Sequence, residues 1–261
     1  MKIAQISDLH MVAEGKTLGV ADVAEKLETV VARLNAMAPD MVLVSGDITQ
    51  VGNVDEAARA AGILAKLEAP FYLTPGNHDT RNALQQAFPP AALPAQETGH
   101  LSYCIEAETL RIIALDSSDP DAPHGRICAP RAAWLEAALA ASAKPALVFM
   151  HHPPLKFGVE ESDNPPLEGA DMLAKVVACH PQIERILCGH IHLMAQAQWH
   201  GRLVMTAPSI SMRLSWNPAK IQSSRFFNSP PAFLWHMHNA DGHLVTHEFT
   251  LDAPEGPYEF T

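Results

Sequence analysis

The sequence predicts one α/β domain spanning residues 1–261, with two packed sheets. Two observations predict this class. Short apolar strands alternate with helical patterns through residue 74, which is the rhythm of a parallel sheet with right-handed crossovers. The second strand, residues 41–44, has no polar alternation, as expected of a parallel strand that is buried on both faces. The chain shows no internal repeat and no linker.

The first half of the chain reads as strand, helix, strand, helix, strand. Residues 3–7 form the first predicted strand. A helix follows because apolar residues recur at spacings of three and four; they are Val20, Val23, Ala24, Leu27, Val30, Val31 and Leu34. Pro39 ends this helix. The remaining predicted elements of this half are a strand at 41–44, a helix at 54–67 and a strand at 71–74.

The second half is less regular but continues the same alternation. Two strands that suggest a hairpin are followed by helix, strand, helix and strand; these elements are predicted at 101–106, 110–115, 132–139, 146–150, 169–179 and 186–188. Four further strands are predicted at 196–200, 202–206, 232–238 and 243–250. Between them, residues 207–231 are rich in Pro, Ser and Asn and have no clear period.

Composition limits the classes of partner. The formal net charge is −11, and no Lys/Arg block interrupts it, so we expect no nucleic-acid partner. No stretch of 18 apolar residues predicts a membrane span, and no signal peptide is visible after Lys2. Four cysteines without a C-x-x-C pair are expected to be reduced thiols in a cytoplasmic protein.

Polar clusters follow five of the predicted strands. Taken alone, "PGNHDT" at 75–80 would be a turn, because Pro, Gly, Asn and Asp all favour turns. The same placement recurs after four other strands, and the residues concerned are Asp8, His10, Asp47, Asn77, His78, Asp79, His151, His152, His190 and His192. Ligands bind at the carboxyl ends of strands in α/β sheets, so we expect these side chains at one rim.

The residue types at this rim indicate metal binding. Besides His78, Asp79 and His152, the set offers two carboxylates, one amide oxygen and four imidazoles. Imidazole suits iron, zinc, cobalt or nickel, and carboxylate also suits manganese. Seven ligands are too many for one tetrahedral ion, but they suit two ions about 3.5 Å apart that share a carboxylate. We therefore expect two divalent or trivalent transition-metal ions per chain, drawn from Fe, Mn, Zn and Co.

The combined motifs resemble those of the calcineurin-like metallophosphoesterase superfamily. They are D-x-H at 8–10, GD at 46–47, GNHD at 76–79, a histidine at 151 and GHIH at 189–192. "FMHHPPL" at 149–155 and "LCGHIH" at 187–192 look like the class III cyclic-nucleotide phosphodiesterases, and still more like the bacterial glycerophosphodiesterase of that group. The resemblance implies a four-layer αββα sandwich, the metallophosphoesterase fold.

The resemblance also implies a division of the ligands between the two metals. The first metal would be bound by Asp8, His10 and His192. The second would be bound by Asn77, His151 and His190. Asp47, from the GD motif, would bridge the two ions.

Other polar residues near the motifs have different expected roles. By resemblance, His78 is a catalytic residue that binds no metal and stands near the phosphate and leaving group, and Asp79 supports it. His152 alternates to the other side of the chain from His151, so we expect it to make a structural hydrogen bond. Arg81 is expected on the solvated surface, and His236 is expected to be structural.

These observations predict hydrolysis of a small phosphodiester by attack of a metal-bound hydroxide. The substrate would be a cyclic nucleotide, such as 3′,5′-cyclic AMP, or a glycerophosphodiester. A phosphomonoesterase is the alternative, although a dianionic monoester usually needs an Arg or Lys clamp that no motif supplies here. "GDITQVG" differs from the GDxVDRG of protein phosphatases, acidity disfavours a nuclease, and the filled ligand positions disfavour a non-catalytic scaffold.

We further expect residues 207–231 to form a cap or to mediate homo-oligomerisation. This segment holds Trp216, Phe226, Phe227 and four prolines without a period, and exposed aromatics often mark an interface. In the similar glycerophosphodiesterase the corresponding region takes part in assembly and covers the active site. The alternative is a packed surface loop.

Overall fold

The structure, a computed structural model, describes residues 1–94, 99–217 and 225–252. Its helices within these ranges are α1 (Val23–Met37), α2 (Val54–Leu64), α3 (Arg81–Ala87), α4 (Ala129–Ala140), α5 (Glu160–Asp163) and α6 (Ala170–Cys179). Its first seven strands are β1 (Lys2–Ile6), β2 (Met41–Val44), β3 (Phe71–Leu73), β4 (Tyr103–Glu106), β5 (Arg111–Ala114), β6 (Ala146–Phe149) and β7 (Ile183–Cys188). The others are β8 (Ala195–Trp199), β9 (Arg202–Thr206), β10 (Arg213–Leu214), β11 (Phe226–Phe227), β12 (Ala232–His238) and β13 (Leu244–Thr250).

The first sheet has five strands in the order β13-β12-β1-β2-β3. β1, β2 and β3 are parallel, as the strand–helix rhythm predicts, whereas β12 runs antiparallel to β1 and β13 antiparallel to β12. All four residues of β2 are buried, which explains why that strand has no polar alternation.

The second sheet has six strands in the order β4-β5-β6-β7-β9-β8. β5, β6, β7 and β9 are parallel, and β4 and β8 are antiparallel edge strands. The predicted hairpin of β4 and β5 is confirmed. β8 and β9 are joined by His200 and Gly201, whose φ angles of 48° and 77° suit the tight turn of a hairpin.

The two sheets pack face to face, and side-chain alternation shows how. Ile112 of β5 and Phe149 of β6 belong to the large core that also contains the strands of the first sheet. Their neighbours Ile113 and Val148 point the other way and join a second core. That second core contains residues of α4 and α6, and the large core contains residues of α1 and α2. The four-layer αββα sandwich expected from the resemblance is therefore confirmed.

Several local features differ from the sequence prediction. The helices α3 and α5 were not predicted, and β10 pairs with β11 as a ribbon inside the segment 207–231, in which the sequence shows no clear period. α1 begins at Val23 because Asp22 caps it, accepting hydrogen bonds from the backbone of Ala24 and Glu25 at 3.1 Å each. Part of the predicted excursion 207–231, residues 218–224, lies outside the described residues.

Within residues 1–94, 99–217 and 225–252, no helix is long and apolar enough to cross a bilayer. The four cysteines all fall in these ranges and are free thiols, as the sequence predicts.

Candidate metal centre

The loops after β1 and β2 run side by side and bring two motifs together. The backbone N–H of Asp8 donates to the carbonyl of Gly46 at 3.0 Å, and that of His10 donates to the carbonyl of Asp47 at 2.9 Å. These bonds continue the parallel pairing of the two strands beyond their ends. The D-x-H and GD motifs therefore share one edge of the sheet, as the strand-end pattern predicts.

A first group of ligand-type atoms forms where these loops meet the loop after β7. One atom from each member lies within 4.8 Å of all the others, and the members are Asp8, His10, Asp47 and His192. Nε2 of His10 is 3.0 Å from Nε2 of His192, and the latter is 3.4 Å from Oδ1 of Asp8. Metal–nitrogen bonds are about 2.0–2.1 Å long, so two imidazole ligands of one ion lie about 3 Å apart. The donor set fits one metal ion.

A second group forms beside the first. The amide oxygen of Asn77 is 3.1 Å from Nε2 of His151 and also 3.1 Å from Nδ1 of His190. His151 and His190 also have ligand-type nitrogens within 4.8 Å of each other. One amide oxygen and two imidazole nitrogens thus converge on one place, and this set fits a second ion.

Asp47 lies between the two groups. Its Oδ2 atom is 3.7 Å from Nε2 of His10 in the first group and 3.3 Å from Nε2 of His151 in the second. Its other oxygen accepts a hydrogen bond from the backbone of His78 at 2.9 Å. The carboxylate is therefore in the position that a bridging ligand would occupy.

Backbone and side-chain oxygens orient three of the imidazole rings. Nδ1 of His10 faces the side-chain oxygen of Gln50 at 2.9 Å, and Nδ1 of His151 faces the carbonyl of Ser45 at 2.8 Å. Nε2 of His190 faces the carbonyl of Ser162 at 3.2 Å. Because a carbonyl oxygen only accepts, each ring nitrogen facing one carries the proton. In the neutral form of each ring, the other nitrogen then presents its lone pair to the cluster.

Burial keeps three of these imidazoles neutral. It lowers the pKa of His10 and of His192 to about 4, and that of His190 to about 3. A metal ligand must be the neutral imidazole, so these rings are in the form that binds a cation at neutral pH.

The acidic members of the cluster are held in a charged environment. Burial opposes ionisation of Asp47, but the neighbouring His151 outweighs it and keeps the pKa of Asp47 well below its usual value. Burial likewise opposes protonation of His151, yet the carboxylates of Asp47 and Asp8 raise its pKa to about 9. Burial is the main cause that raises the pKa of Asp8 to about 6. Buried carboxylates need compensating positive charge, which metal ions would supply.

The backbone at the centre is strained. Seven described residues other than glycine have positive φ, and five of them are predicted ligands: Asp8, His10, Asp47, His190 and His192, at 55°, 46°, 50°, 73° and 56°. Each such residue costs on the order of 1–3 kcal/mol and persists only where the surrounding structure imposes it. Strain of this kind clusters at functional sites.

Two glycines of the motifs are needed because other chain segments approach them closely. A Cβ atom at Gly76 would lie 2.1 Å from Oδ1 of Asp47, and one at Gly189 would lie 2.1 Å from Oγ of Ser7. A side chain at either position would displace the loop that carries a predicted ligand.

His78 lies next to the first group without joining it. Its ring centroid is 4.7 Å from that of His10, and its Nδ1 donates to the carbonyl of Gln50 at 2.7 Å. Asp79 accepts hydrogen bonds from the backbone of Gly76, Ile48 and Thr49 at 2.9, 3.1 and 2.8 Å. Asp79 therefore connects the GNHD loop to the GD loop. The His78 ring has its hydrogen bond with the carbonyl of Gln50.

The structure agrees with the expected role of His152 but differs from that of Arg81. His152 bonds Oγ of Ser117 through Nδ1 at 2.8 Å and the carbonyl of Pro123 through Nε2 at 3.1 Å, so both ring nitrogens are engaged in structural bonds. Arg81 was expected in solvent, but its Nε contacts the buried carboxylate of Asp116 at 2.7 Å. Asp116 lies 35 residues later in the chain, and no sequence signal links the two.

The sequence is similar to a known protein family and to several curated proteins. The family pattern described as "Calcineurin-like phosphoesterase" matches residues 1–194, which contain every predicted ligand. A protein of Arcobacter nitrofigilis named "Probable glycerophosphodiester phosphodiesterase GpdQ" is 33% identical over 265 residues, covering 100% of this chain and 97% of the relative. A 3′,5′-cyclic adenosine monophosphate phosphodiesterase, CpdA, of Pseudomonas aeruginosa is 30% identical, covering 94% of this chain and 88% of the relative.

A solved structure supports the fold alone. The crystal structure of a dimetal phosphatase from Danio rerio superimposes with a TM-score of 0.65 at 16% identity, covering 97% of this chain and 99% of that chain.

Proposed function

The chain belongs to the calcineurin-like phosphoesterase family of metal-dependent hydrolases, and we propose that it hydrolyses a small phosphodiester at a dinuclear centre. The observation that carries this proposal is the position of Asp47. Its Oδ2 atom lies within 3.7 Å of nitrogens from two separate ligand groups. One carboxylate between two such groups is the arrangement expected of two ions that share a bridge.

The residues would divide as follows. One ion would be held by Asp8, His10 and His192, and the other by Asn77, His151 and His190, with Asp47 common to both. When bound, two such ions polarise the phosphoryl oxygens and lower the pKa of a coordinated water. The chain itself contributes the neutral imidazoles of His10, His190 and His192, and loops fixed by Asp79. Fe, Mn, Zn and Co all suit this donor set.

His78 would assist the leaving group. Its Nδ1–H donates to the carbonyl of Gln50, so in the imidazolium form the second proton is on Nε2, and this is the proton that the ring would give to the departing alkoxide. The ring lies beside His10 but outside both ligand groups. This arrangement suits a residue that acts on substrate and not on metal.

Two features favour a diester over a monoester. The guanidinium of Arg81, next to the GNHD loop, is occupied by Asp116 at 2.7 Å and by the carbonyl of Ser118 at 2.6 Å. It is therefore poorly placed to clamp the second charge of a monoester. A cavity of about 320 Å³ opens beside Asn77, with Thr80 and Asn82 in its wall. It has room for an alcohol group attached to the phosphate.

A glycerophosphodiester is the first candidate substrate. Support comes from the Arcobacter relative, whose name carries this activity and whose sequence aligns with this chain over its full length. The polar amide of Asn82 in the wall of the cavity suits a hydroxylated leaving group. A 3′,5′-cyclic nucleotide is the second candidate, because the Pseudomonas relative named for that activity is nearly as similar.

A direct rate comparison tests the proposal. Purified protein loaded with Mn²⁺ is given, in parallel, glycerophosphoethanolamine, 3′,5′-cyclic AMP, bis(4-nitrophenyl) phosphate and 4-nitrophenyl phosphate. We expect both aryl and alkyl diesters to be cleaved faster than the monoester, and the glycerophosphodiester faster than the cyclic nucleotide. The Asp47→Asn variant is the matched control for contaminating hydrolases. Faster cleavage of the monoester would refute the diester assignment.

A further inference from the structure

One residue outside the metal-binding motifs contacts two of the predicted site histidines. Gln50 lies three residues after Asp47, on the loop that follows β2. Its side-chain oxygen is 2.9 Å from Nδ1 of His10, and its main-chain oxygen is 2.7 Å from Nδ1 of His78. A predicted ligand and a predicted catalytic acid are therefore both held by the same residue.

The direction of these bonds decides which nitrogen each ring presents. An oxygen on Nδ1 requires the proton there, which in a neutral ring leaves Nε2 as the lone pair. Nε2 of His10 is the atom that faces His192 at 3.0 Å and Asp47 at 3.7 Å. With the amide nitrogen of Gln50 in place of the oxygen, the proton of His10 would move to Nε2, and the ring would lose its ability to bind metal through that atom.

The main chain of Gln50 is itself fixed. Its backbone N–H donates to the carbonyl of Met11 at 2.9 Å and to the carboxylate of Glu56 at 3.1 Å. The same carboxylate accepts from the backbone of Val51 at 2.8 Å, and Glu56 is buried at the start of α2. The Gln50 carbonyl is therefore held in place independently of the Gln50 side chain.

From these contacts we infer that Gln50 is a positioning residue with two separable effects. Its side chain fixes the tautomer of His10 and so sets the affinity of the first metal site. Its carbonyl belongs to the peptide whose Val51 N–H donates to Glu56, and it orients His78 toward the leaving group. The metal part of this inference rests on the proposed function, whereas the tautomer part concerns the metal-free protein as well.

The two effects predict different results for different substitutions. Gln50→Met keeps the length of the side chain and removes the acceptor, so it frees the His10 ring to rotate or change tautomer. Loss of such a partner typically weakens metal binding about 10–100-fold. Gln50→Glu keeps an acceptor at the same place, and a carboxylate makes the imidazole a better donor to metal. Neither substitution removes the carbonyl that holds His78.

The test is a calorimetric titration of metal-free protein with Mn²⁺. We expect one class of sites to weaken about 10–100-fold in Gln50→Met and both classes to be retained in Gln50→Glu. The matched control is Gln86→Met, the same change at an exposed position of α3, which should bind as the unmodified protein does. At saturating Mn²⁺, Gln50→Met should keep the ratio of alkyl to aryl diester rates, because that ratio reports on His78.

Each failure points to a different claim. Unchanged Mn²⁺ affinity in Gln50→Met overturns the inference, and so does an equal loss in Gln86→Met. If the unmodified protein binds no Mn²⁺ at all, the result contradicts the proposed function itself.

A second measurement needs no variant at position 50. In metal-free protein labelled with ¹⁵N in its histidine rings, the nitrogen shifts of His10 should show the proton on Nδ1, with the signals assigned from a His10→Asn sample. A proton on Nε2 would overturn the inference even where Gln50→Met does not fold.

Discussion

Oδ2 of Asp47 lies 3.3 Å from Nε2 of His151, although 104 residues separate the two in the chain. The contact joins the rims of the two sheets, because Asp47 follows β2 and His151 follows β6. Each sheet ends in its own polar loops, and the sandwich brings them face to face. The candidate centre is thus a product of sheet packing, and it cannot form from either sheet alone.

The role of His78 predicts a dependence on the leaving group. An alkoxide has a high pKa and gains from a proton donor, whereas a nitrophenolate needs little help. We expect His78→Ala to slow alkyl diesters by about 10²–10⁴-fold and aryl diesters far less, because general acid assistance has that size. Steady-state rates on both substrates at saturating Mn²⁺ measure the contrast.

The metal content of His78→Ala should match that of the unmodified protein, since the residue is no predicted ligand. Equal losses on the two kinds of diester, with the metals retained, would mean that His78 only positions the phosphate or stabilises its charge.

Metal binding should raise stability markedly, because the buried carboxylates Asp8 and Asp47 then gain their counter-charge. A ligand at 100 times its Kd raises the free energy of unfolding by about 2.7 kcal/mol. In a chain of this size, each kcal/mol raises the melting temperature by about 2–4 °C. We expect Mn²⁺ to raise the melting temperature of chelator-treated protein by about 5–10 °C per saturated site. Differential scanning calorimetry gives the shift. A melting temperature that does not respond to Mn²⁺ would contradict the fit of these residues to metal.

His236 predicts a loss of stability in acid that has nothing to do with metal. The ring is fully buried between Thr246 at 2.7 Å and Gln5 at 3.2 Å. Burial lowers its pKa from 6.5 to about 3, and nearby Arg185 acts in the same direction. The unfolded chain therefore takes up a proton below pH 6.5 that the folded chain refuses. The stability that the neutral His236 ring contributes is fully present above pH 6.5 and is lost as the pH falls toward 3.

His236→Gln should remove this dependence, because glutamine can bond both neighbours and does not titrate. One proton is worth about 1.4 kcal/mol per pH unit. We therefore expect the free energy of unfolding of metal-free His236→Gln, measured with urea between pH 4 and 6, to change less steeply with pH than that of the unmodified protein, by up to this amount. His247→Gln, at an exposed position of the adjacent β13, is the matched control. Identical slopes for His236→Gln and the unmodified protein would contradict the prediction.

Exposed aromatic residues on the ribbon and just after β10 predict self-association. Phe226 and Phe227 of β11 are 39% and 51% exposed, and Trp216 is 48% exposed. Val20, at 78%, lies next to Gly19, where an added Cβ atom would lie 3.0 Å from the ring of Phe226. We expect sedimentation at micromolar concentration to show a homo-oligomer, and Phe227→Ser to shift it toward monomer. Gln198→Ser, on the exposed side of β8, should leave the assembly unchanged. A monomer at micromolar concentration would refute this prediction.

The sequence predicts most of the sandwich because its strands are continuous apolar runs with polar residues at their ends. It misses α3, whose seven residues make too few turns for a period to appear; the visible signal is Thr80, which caps the helix through the backbone of Ala83 at 3.3 Å. The ribbon of β10 and β11 is missed for the same reason, since each strand has two residues.

The candidate ligands were predictable from sequence, but the groups that orient them were not. Ser45 and Ser162 act through backbone carbonyls, which every residue has, so no residue type marks them. Gln50 acts through both its side chain and its backbone, on two rings that lie 40 and 28 residues away. Contacts of this kind depend on how the loops fold over one another, and no local pattern encodes that.

The number of metal ions per chain tests the central claim, a dinuclear centre bridged by Asp47, most directly. The count is made for the unmodified protein and for a variant at Asp47. Protein dialysed against excess Mn²⁺ and then freed of unbound metal is analysed by inductively coupled plasma mass spectrometry. The structure predicts about two ions per chain for the unmodified protein, as expected of two ligand groups that share a carboxylate. Asp47→Ala should lose metal and at least about 10²-fold in diesterase rate, since loss of an outer partner alone costs 10–100-fold. Asp171→Asn, at an exposed position of α6, should keep both ions. At most one ion per chain in the metal-replete unmodified protein would contradict the dinuclear centre.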